Sequence, residues 1–129
     1  MSVLTMAPTL GDLLKFELNA SYTRETVTLK AGTSYPLGSV LGRITASGEY
    51  RLSPAALVAG DDGAENASAV LIESVDATDG VATGLIAARG PVILADAALV
   101  FDASVDQPAE RTAKIVQLAA MGLVARDTV

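Results

Sequence analysis

Apolar and polar residues alternate along most of the chain from Glu25 onward. In "ETVTLKAG" the apolar Val27 and Leu29 are separated by polar neighbours, which predicts a strand with one buried face. Further strands are predicted in "LGSVLGRI" and "EYRL", joined by a turn over Ala46–Glu49, and then in "AVLIESV" and "VATGLIAARGPVIL". The last run is divided at Gly90–Pro91, because proline cannot donate a hydrogen bond within a central strand pair. The pattern predicts a mostly antiparallel sheet.

One segment, "DQPAERTAKIVQLAAMG", has the start and stop signals of a helix. Asp106 is a candidate N-cap, and Pro108 stands in the first turn, where its missing N–H costs little. Gly122 follows the last turn, and the "LVAR" after it allows a short closing strand. We therefore predict one well-bounded C-terminal helix.

Polar and apolar side chains lie on opposite faces of this predicted helix. On a helical wheel, Glu110, Lys114 and Gln117 share one face. The opposite face carries Ala109, Thr112, Ile115, Val116 and Ala119. Glu110 and Lys114 also have the i, i+4 order that favours an ion pair on a helix surface. The pattern predicts an amphipathic helix.

The first 24 residues, "MSVLTMAPTLGDLLKFELNASYTR", show no sustained period of 2 or 3.6 and are interpreted as an N-terminal arm. Their apolar cluster is Leu13, Leu14, Phe16 and Leu18. In an extended conformation, the last three of these would share one face. The alternative is that this segment is the first strand of the protein's own sheet. If it is an arm, removing residues 1 to about 20 should leave a folded protein.

Composition and charge argue against several classes of function. A chain of 129 residues fits one domain, and its 50% hydrophobic but only 4% aromatic residues predict a core of small aliphatic side chains. The formal charge is −6, and the Lys and Arg residues are scattered, which argues against binding nucleic acid through its phosphates. No apolar run approaches the roughly 20 residues that cross a bilayer, so we expect a soluble, unexported protein.

Candidate catalytic and metal-binding residues are few, because the chain has no His and no Cys. Carboxylates cluster in "GDDGAEN" and "DATDG". Solvated turns are favoured there over a calcium site, since the EF-hand spacing is absent. The serines lack a G-x-S-x-G elbow, and Gly38 and Gly42 fit turns and close packing better than a phosphate loop. We predict no enzymatic activity, no cofactor and no metal.

Longer stretches resemble two kinds of protein. "LKAGTSYPLGSVLGRI" resembles the loop that enters a lipoyl or biotinyl carrier domain, but no lysine stands in the Asp-Lys or Met-Lys context of the modified hairpin. The ordered set "GSVLGRITASGEYRL", "AVLIESVDATDG", "ARGPVILADAALVFDAS" and "AAMGLVAR" resembles the head decoration family of tailed bacteriophages, related to the lambda capsid-stabilising protein D. This second resemblance covers about Thr26 to Arg126. A small β-rich binding or carrier-like module remains the alternative.

The second resemblance implies a mainly β (α+β) fold. The expected domain, residues 25–129, is a small antiparallel β-sheet or barrel-like domain of the head decoration type, with one C-terminal helix. Residues 1–24 would form an N-terminal arm that is mobile until it binds the capsid. There it would add a strand to a sheet of the major capsid protein, a binding mode in which main-chain hydrogen bonds supply affinity.

The same resemblance implies a function that rests on binding. The protein would be a homotrimer on the outer surface of the mature phage head, at local threefold sites, and would cement the shell against the pressure of packaged DNA. The expected partner is the major capsid protein, with no nucleic acid, membrane or small-molecule substrate. Leu13, Leu14, Phe16 and Leu18 are the expected capsid-binding residues of the arm.

We expect calcium to have no specific effect on this protein, because neither acidic loop carries a complete set of ligands. Isothermal titration calorimetry with calcium chloride should detect no stoichiometric site of micromolar affinity. Such a site would contradict the interpretation of both loops as turns.

Overall fold

The strands and the C-terminal helix that the sequence predicts form a mainly β fold. The computed structural model describes residues 10–127; residues 1–9 and 128–129, which include the start of the predicted arm, lie outside them. In chain order the elements are α1 (Leu10–Leu13), β1 (Leu14–Glu17), α2 (Ala20–Thr23), β2 (Arg24–Leu29), β3 (Ser34–Tyr35), β4 (Val40–Arg43), β5 (Tyr50–Leu52), β6 (Ala67–Leu71), β7 (Val75–Asp76), β8 (Ala82–Ala87), β9 (Val92–Ala95), α3 (Pro108–Ala120) and β10 (Leu123–Arg126). A short 3-10 turn spans Asp96–Ala98.

Five of the strands close into a barrel in the order β2-β5-β4-β6-β8. Its neighbouring strands are antiparallel apart from β2 and β5, which meet in parallel at Leu29 and Tyr50. Small barrels are filled by their own side chains. One cluster of buried residues here consists of Leu29, Tyr35, Leu41, Ala69, Leu71, Ala77 and Ile86. The predicted strands and the predicted barrel-like architecture are both confirmed.

A second sheet, in the order β1-β9-β10, joins the two ends of the described chain. Strand β1 runs antiparallel to β9, and β10 runs parallel to it. The closing strand predicted at "LVAR" is therefore present, but with a parallel partner. A second buried cluster contains residues from α1, from these strands and from α3, among them Leu13, Val92, Leu94, Leu118 and Leu123.

The segment Leu10–Thr23 is folded, which differs from the arm that its irregular pattern predicts. Of the two alternatives left open, the structure has the strand of the protein's own sheet: Leu14 lies opposite Leu94, and Glu17 lies opposite Val92. The pairing shifts by a residue between Leu14 and Phe16, and one-turn helices flank the strand. A bulge and two short helices interrupt any regular period, so the sequence pattern did not reveal this strand.

Helix α3 begins one residue later than predicted. Its N-cap is Gln107 rather than Asp106, and the Gln107 N–H donates a hydrogen bond to Oε1 of Glu110 at 3.2 Å. Pro108 is the first helical residue, and Gly122 follows the C-cap with a φ of 84°. The stop signal therefore had the predicted role, since a glycine readily adopts positive φ at a helix end.

The two faces of α3 divide only in part as predicted: Ile115 packs against the core cluster, but Lys114 and Val116 depart from the pattern. Lys114, on the predicted polar face, is only 2% exposed. Its ammonium donates to Oγ of Ser53 at 3.0 Å, to the Pro54 carbonyl at 2.6 Å and to the Glu65 carbonyl at 2.5 Å. Val116, on the apolar face, is 63% exposed. The predicted Glu110–Lys114 pair does not form, because Lys114 faces inward and has these other partners.

The glycines singled out in the sequence have the structural roles predicted for them. Gly38 has a φ of 91°, which L side chains rarely adopt. At Gly42 a Cβ atom would lie 2.0 Å from the Ala64 carbonyl oxygen. The first position needs the backbone freedom of glycine, and the second needs its lack of a side chain.

Leu13→Ala should lower the free energy of unfolding by about 2–5 kcal/mol, because it removes a fully buried leucine side chain. Leu18→Ala, the same change at a position that is 64% exposed, should alter it by no more than about 0.5 kcal/mol. Urea unfolding followed by circular dichroism measures both. Similar small effects of the two changes would contradict the placement of Leu13.

The burial of Leu13 also predicts different effects on stability for two N-terminal truncations. Removing residues 1–9 leaves every contact described above in place. Removing residues 1–20 takes away Leu13 and all of β1, so we now expect this larger deletion to destabilise the fold, contrary to the expectation from the arm interpretation.

The buried ammonium of Lys114 makes stability depend on pH in the alkaline range. Burial lowers the pKa of Lys114 below its ordinary 10.5. Since the folded state holds this proton less tightly than the unfolded state, stability should rise as the pH increases from the lowered pKa to about 10.5. Subtracting the unfolding free energy of Lys114→Met from that of the wild type isolates this residue. A difference that falls over this interval would contradict the prediction.

Candidate functional site

The four apolar residues predicted to bind a partner do not lie on one surface. Leu13 is fully buried in the core, and Leu14 is partly buried against the same cluster. Phe16 and Leu18 are 47% and 64% exposed. In this fold Leu13 and Leu14 therefore support the segment, and only Phe16 and Leu18 are open to a partner. The reason is the bulge after Leu14, which turns the following side chain to the other side of the sheet.

The exposed side chains continue onto the neighbouring strands. Phe16 pairs with Ile93 of β9, and Ile93 pairs with Val124 of β10. Residues directly opposite one another in a sheet point to the same face, and both of these partners are partly exposed. We call Phe16, Leu18, Ile93 and Val124 the arm surface. The sequence did not single out Ile93, because the apolar run "VIL" carries no alternation that marks its outer residue.

A polar clamp holds the end of β1 against the barrel. The guanidinium of Arg24 donates to both carboxylate oxygens of Glu17, at 2.9 and 3.1 Å, and the Thr23 hydroxyl donates to the same carboxylate at 2.6 Å. These bonds to Arg24 and Thr23 lower the pKa of Glu17 despite its partial burial. Because Arg24 begins β2, the clamp ties the arm surface to the barrel.

Tyr22 adds an exposed aromatic ring close to this clamp. Its ring is 58% exposed, and the guanidinium of Arg89 lies over it, 5.4 Å from the centroid. Arg89 also pairs with Glu25 at 2.7 Å. An arginine over an aromatic face is attracted to it, so Arg89 links Tyr22 to Glu25 at this end of the surface.

The acidic loop "GDDGAEN" is only partly the solvated turn that was predicted. Asp61 is buried, and its carboxylate accepts hydrogen bonds from Lys30 at 2.9 Å and from Arg51 at 2.7 Å. Both partners lower the pKa of Asp61. Arg51 also reaches Asp102 at 3.4 Å. The cluster is a compensated ion network that holds the loop on the barrel.

A cleft of about 250 Å³ lies beside this network, lined by Lys30, Tyr35, Arg51 and Asp102 among others. Burial raises the pKa of Tyr35 to about 12, and its hydroxyl donates to the Lys30 carbonyl at 2.7 Å. The charged groups of the cleft bond to one another, so they do not converge on a ligand.

Ser53 and Lys114 form the pair that most resembles a nucleophile with its base. The Lys114 ammonium lies 3.0 Å from Oγ of Ser53, and such a pair can activate a serine in hydrolases. Here both residues are at most 2% exposed, and the Ser53 hydroxyl donates to the Ala64 carbonyl at 2.6 Å. Because no substrate reaches it, the pair joins α3 to the barrel instead.

Neither a metal cluster nor a membrane-spanning helix occurs in the described part of the chain. Over residues 10–127, no three or more carboxylates come together in a way that could hold an ion. The longest helix in that range, α3, has 13 residues, and none there is long and apolar enough to cross a bilayer.

Comparison with known proteins gives a match to one family. The family model described as "Bacteriophage lambda head decoration protein D" matches residues 3–123 of the 129-residue chain. The search of curated proteins finds no match. The matched range includes the barrel, α3 and three residues of the arm surface, Phe16, Leu18 and Ile93, and agrees with the resemblance in the sequence motifs. The chain therefore belongs to the bacteriophage lambda head decoration protein D family, a structural family of the phage capsid.

Proposed function

We propose that this protein binds the outer surface of the mature phage head as a homotrimer at local threefold sites and stabilises the shell against the pressure of packaged DNA. The observation that carries the proposal is the family match over residues 3–123. A capsid decoration role follows from the family. The trimer, the outer surface and the resistance to pressure are the finer parts of the proposal.

The chemistry of the folded chain supports a function by binding without catalysis. The best candidate nucleophile, Ser53, is buried, and the charged groups of the cleft are bonded to one another. The carrier-like alternative gains no support, because none of the three lysines, Lys15, Lys30 and Lys114, follows the Asp or Met of the carrier hairpin. Exposed apolar side chains such as Phe16 and Leu18 are available for a partner.

We assign shell binding to the arm surface. Phe16 in β1 and Leu18 directly after it are exposed, and Leu13 directly before β1 is fixed in the core. The clamp of Glu17 and Arg24 orders the same segment. A preordered apolar surface loses little conformational entropy on binding, and large exposed side chains such as Phe16 tend to carry most of the affinity. The expected partner is the major capsid protein.

Three copies acting together would strengthen this attachment. A trimer presents three arm surfaces, so after one has bound, the other two bind at a high effective concentration. Individually weak contacts then hold the decoration on the shell, provided that the threefold symmetry of the site matches that of the trimer.

Phe16→Ala should weaken binding to expanded, undecorated capsids by at least about tenfold, because it removes the largest side chain of the arm surface. Val81→Ala is the matched control, since Val81 is 58% exposed and lies in the loop between β7 and β8. Co-sedimentation with capsids measures binding, and circular dichroism verifies the fold. Unchanged binding of folded Phe16→Ala would contradict the assignment of the arm surface.

Cryo-electron microscopy of capsids mixed with the purified protein tests the finer proposal. We expect trimeric density on the outside of the shell at local threefold sites. Density elsewhere, or monomeric density, would contradict it.

A further inference from the structure

The exposed side of α3 is an uncharged surface on an acidic protein. We call the outer face of α3 its exposed positions Ala109, Thr112, Ala113, Val116, Ala119 and Ala120. Val116, the largest of these side chains, is 63% exposed, and Met121 beside the helix end is 42% exposed. Such exposed apolar surface is typical of contact sites between proteins.

Bonds on the inner side fix the rotation of the helix about its axis. The Lys114 ammonium has three oxygen acceptors from the chain before β6, and the Gln117 side chain accepts a hydrogen bond from the Ala67 N–H at 2.8 Å. Turning α3 to bury Val116 would break all of these bonds and expose Leu118, which is fully buried. Within residues 10–127, the outer face is therefore left exposed.

We propose that copies of this chain associate through the outer face of α3, packed around a common axis. The inference rests on the homotrimer of the proposed function and specifies its contact surface. Each copy carries a formal charge of −6, so two copies repel unless their contact keeps carboxylates apart. The outer face meets that condition, because none of its six positions is charged.

The charged residues of the helix are engaged away from this face. Glu110 accepts from the Gln107 N–H, Arg111 bonds to Asp96, and Lys114 is buried. A contact between outer faces therefore separates no ion pair and buries no charge, which would be costly in an interface. A partner that binds through complementary charge has no charged side chain to pair with on the outer face.

The sizes of the side chains also suit a second copy. Alanine at 109, 113 and 120 allows two helices to approach closely, as packed helices do at about 8–10 Å between axes. Val116 then supplies an apolar centre where identical residues meet near the axis. The arm surface lies on the strands of the three-stranded sheet, so self-association leaves it available for the shell.

Val116→Lys tests the proposal, with Val81→Lys as the matched control at a similarly exposed valine, 58% against 63%. Sedimentation velocity over a range of concentrations measures association. The wild type and Val81→Lys should be trimeric. Val116→Lys should associate at least about 100-fold more weakly, because the contact would bury an unpaired ammonium. Circular dichroism verifies that each variant is folded.

A cross-linking experiment keeps the test informative if the lysine variant fails to fold. The chain has no cysteine, so Val116→Cys and Val81→Cys each introduce a single thiol of nearly the size of valine. Under mild oxidation, Val116→Cys should give disulfide-linked dimers, visible on a non-reducing gel, and Val81→Cys should not. Equal cross-linking of the two variants would overturn the proposal.

The possible results separate this inference from the proposed function. A wild-type protein that is monomeric in solution and on capsids overturns the homotrimer, and with it this contact. For a wild type that is monomeric in solution but trimeric on capsids, the cross-linking is performed on decorated capsids, where absence of the Val116→Cys disulfide overturns the contact. A trimeric wild type whose Val116→Lys variant is also trimeric, with no Val116→Cys cross-link, overturns only the contact. A Val116→Lys variant that stays trimeric but no longer binds capsids would assign the outer face to the shell and overturn the proposal.

Discussion

Strand β9 is the constraint on which the arm surface depends. It pairs with β1 on one side and with β10 on the other, so it holds the N-terminal and C-terminal parts of the described chain in one sheet. Val92 and Leu94 point into the core from this strand, while Ile93 between them is partly exposed. The alternation of a single short strand therefore fixes which side of β1 is packed and which side is presented.

Three charged side chains of this protein join separate elements of the fold. Lys114 joins α3 to the loop before β6, Asp61 holds its loop to two basic residues, and Glu17 ties β1 to the start of the barrel. Buried charges of this kind are costly unless every donor and acceptor is satisfied, and here the bonds are close and numerous. The consequence is that these charged groups stabilise the fold and already have partners within it.

A fold whose charged groups bond to one another suits a capsid decoration protein better than an enzyme or a carrier. An enzyme needs reactive groups that substrate can reach, whereas Ser53 is closed off by Lys114 and Ala64. A protein that acts by attachment needs rigid contact surfaces, and the arm surface and the outer face of α3 are each fixed from behind by the core. The family of the chain and the physical character of its surface thus support the same kind of function.

The sequence by itself determined the strands of the barrel, the helix and its glycine stop, because period-2 alternation, turn residues and helix end signals act over a few neighbouring residues. It also carried the family motifs. Tertiary structure decided the rest. The bulge after Leu14 turned Phe16 to the outer side of the sheet, and three oxygen acceptors supplied by distant residues drew Lys114 inward and left Val116 exposed. Local patterns could not reveal either outcome, since each depends on atoms that only folding brings together.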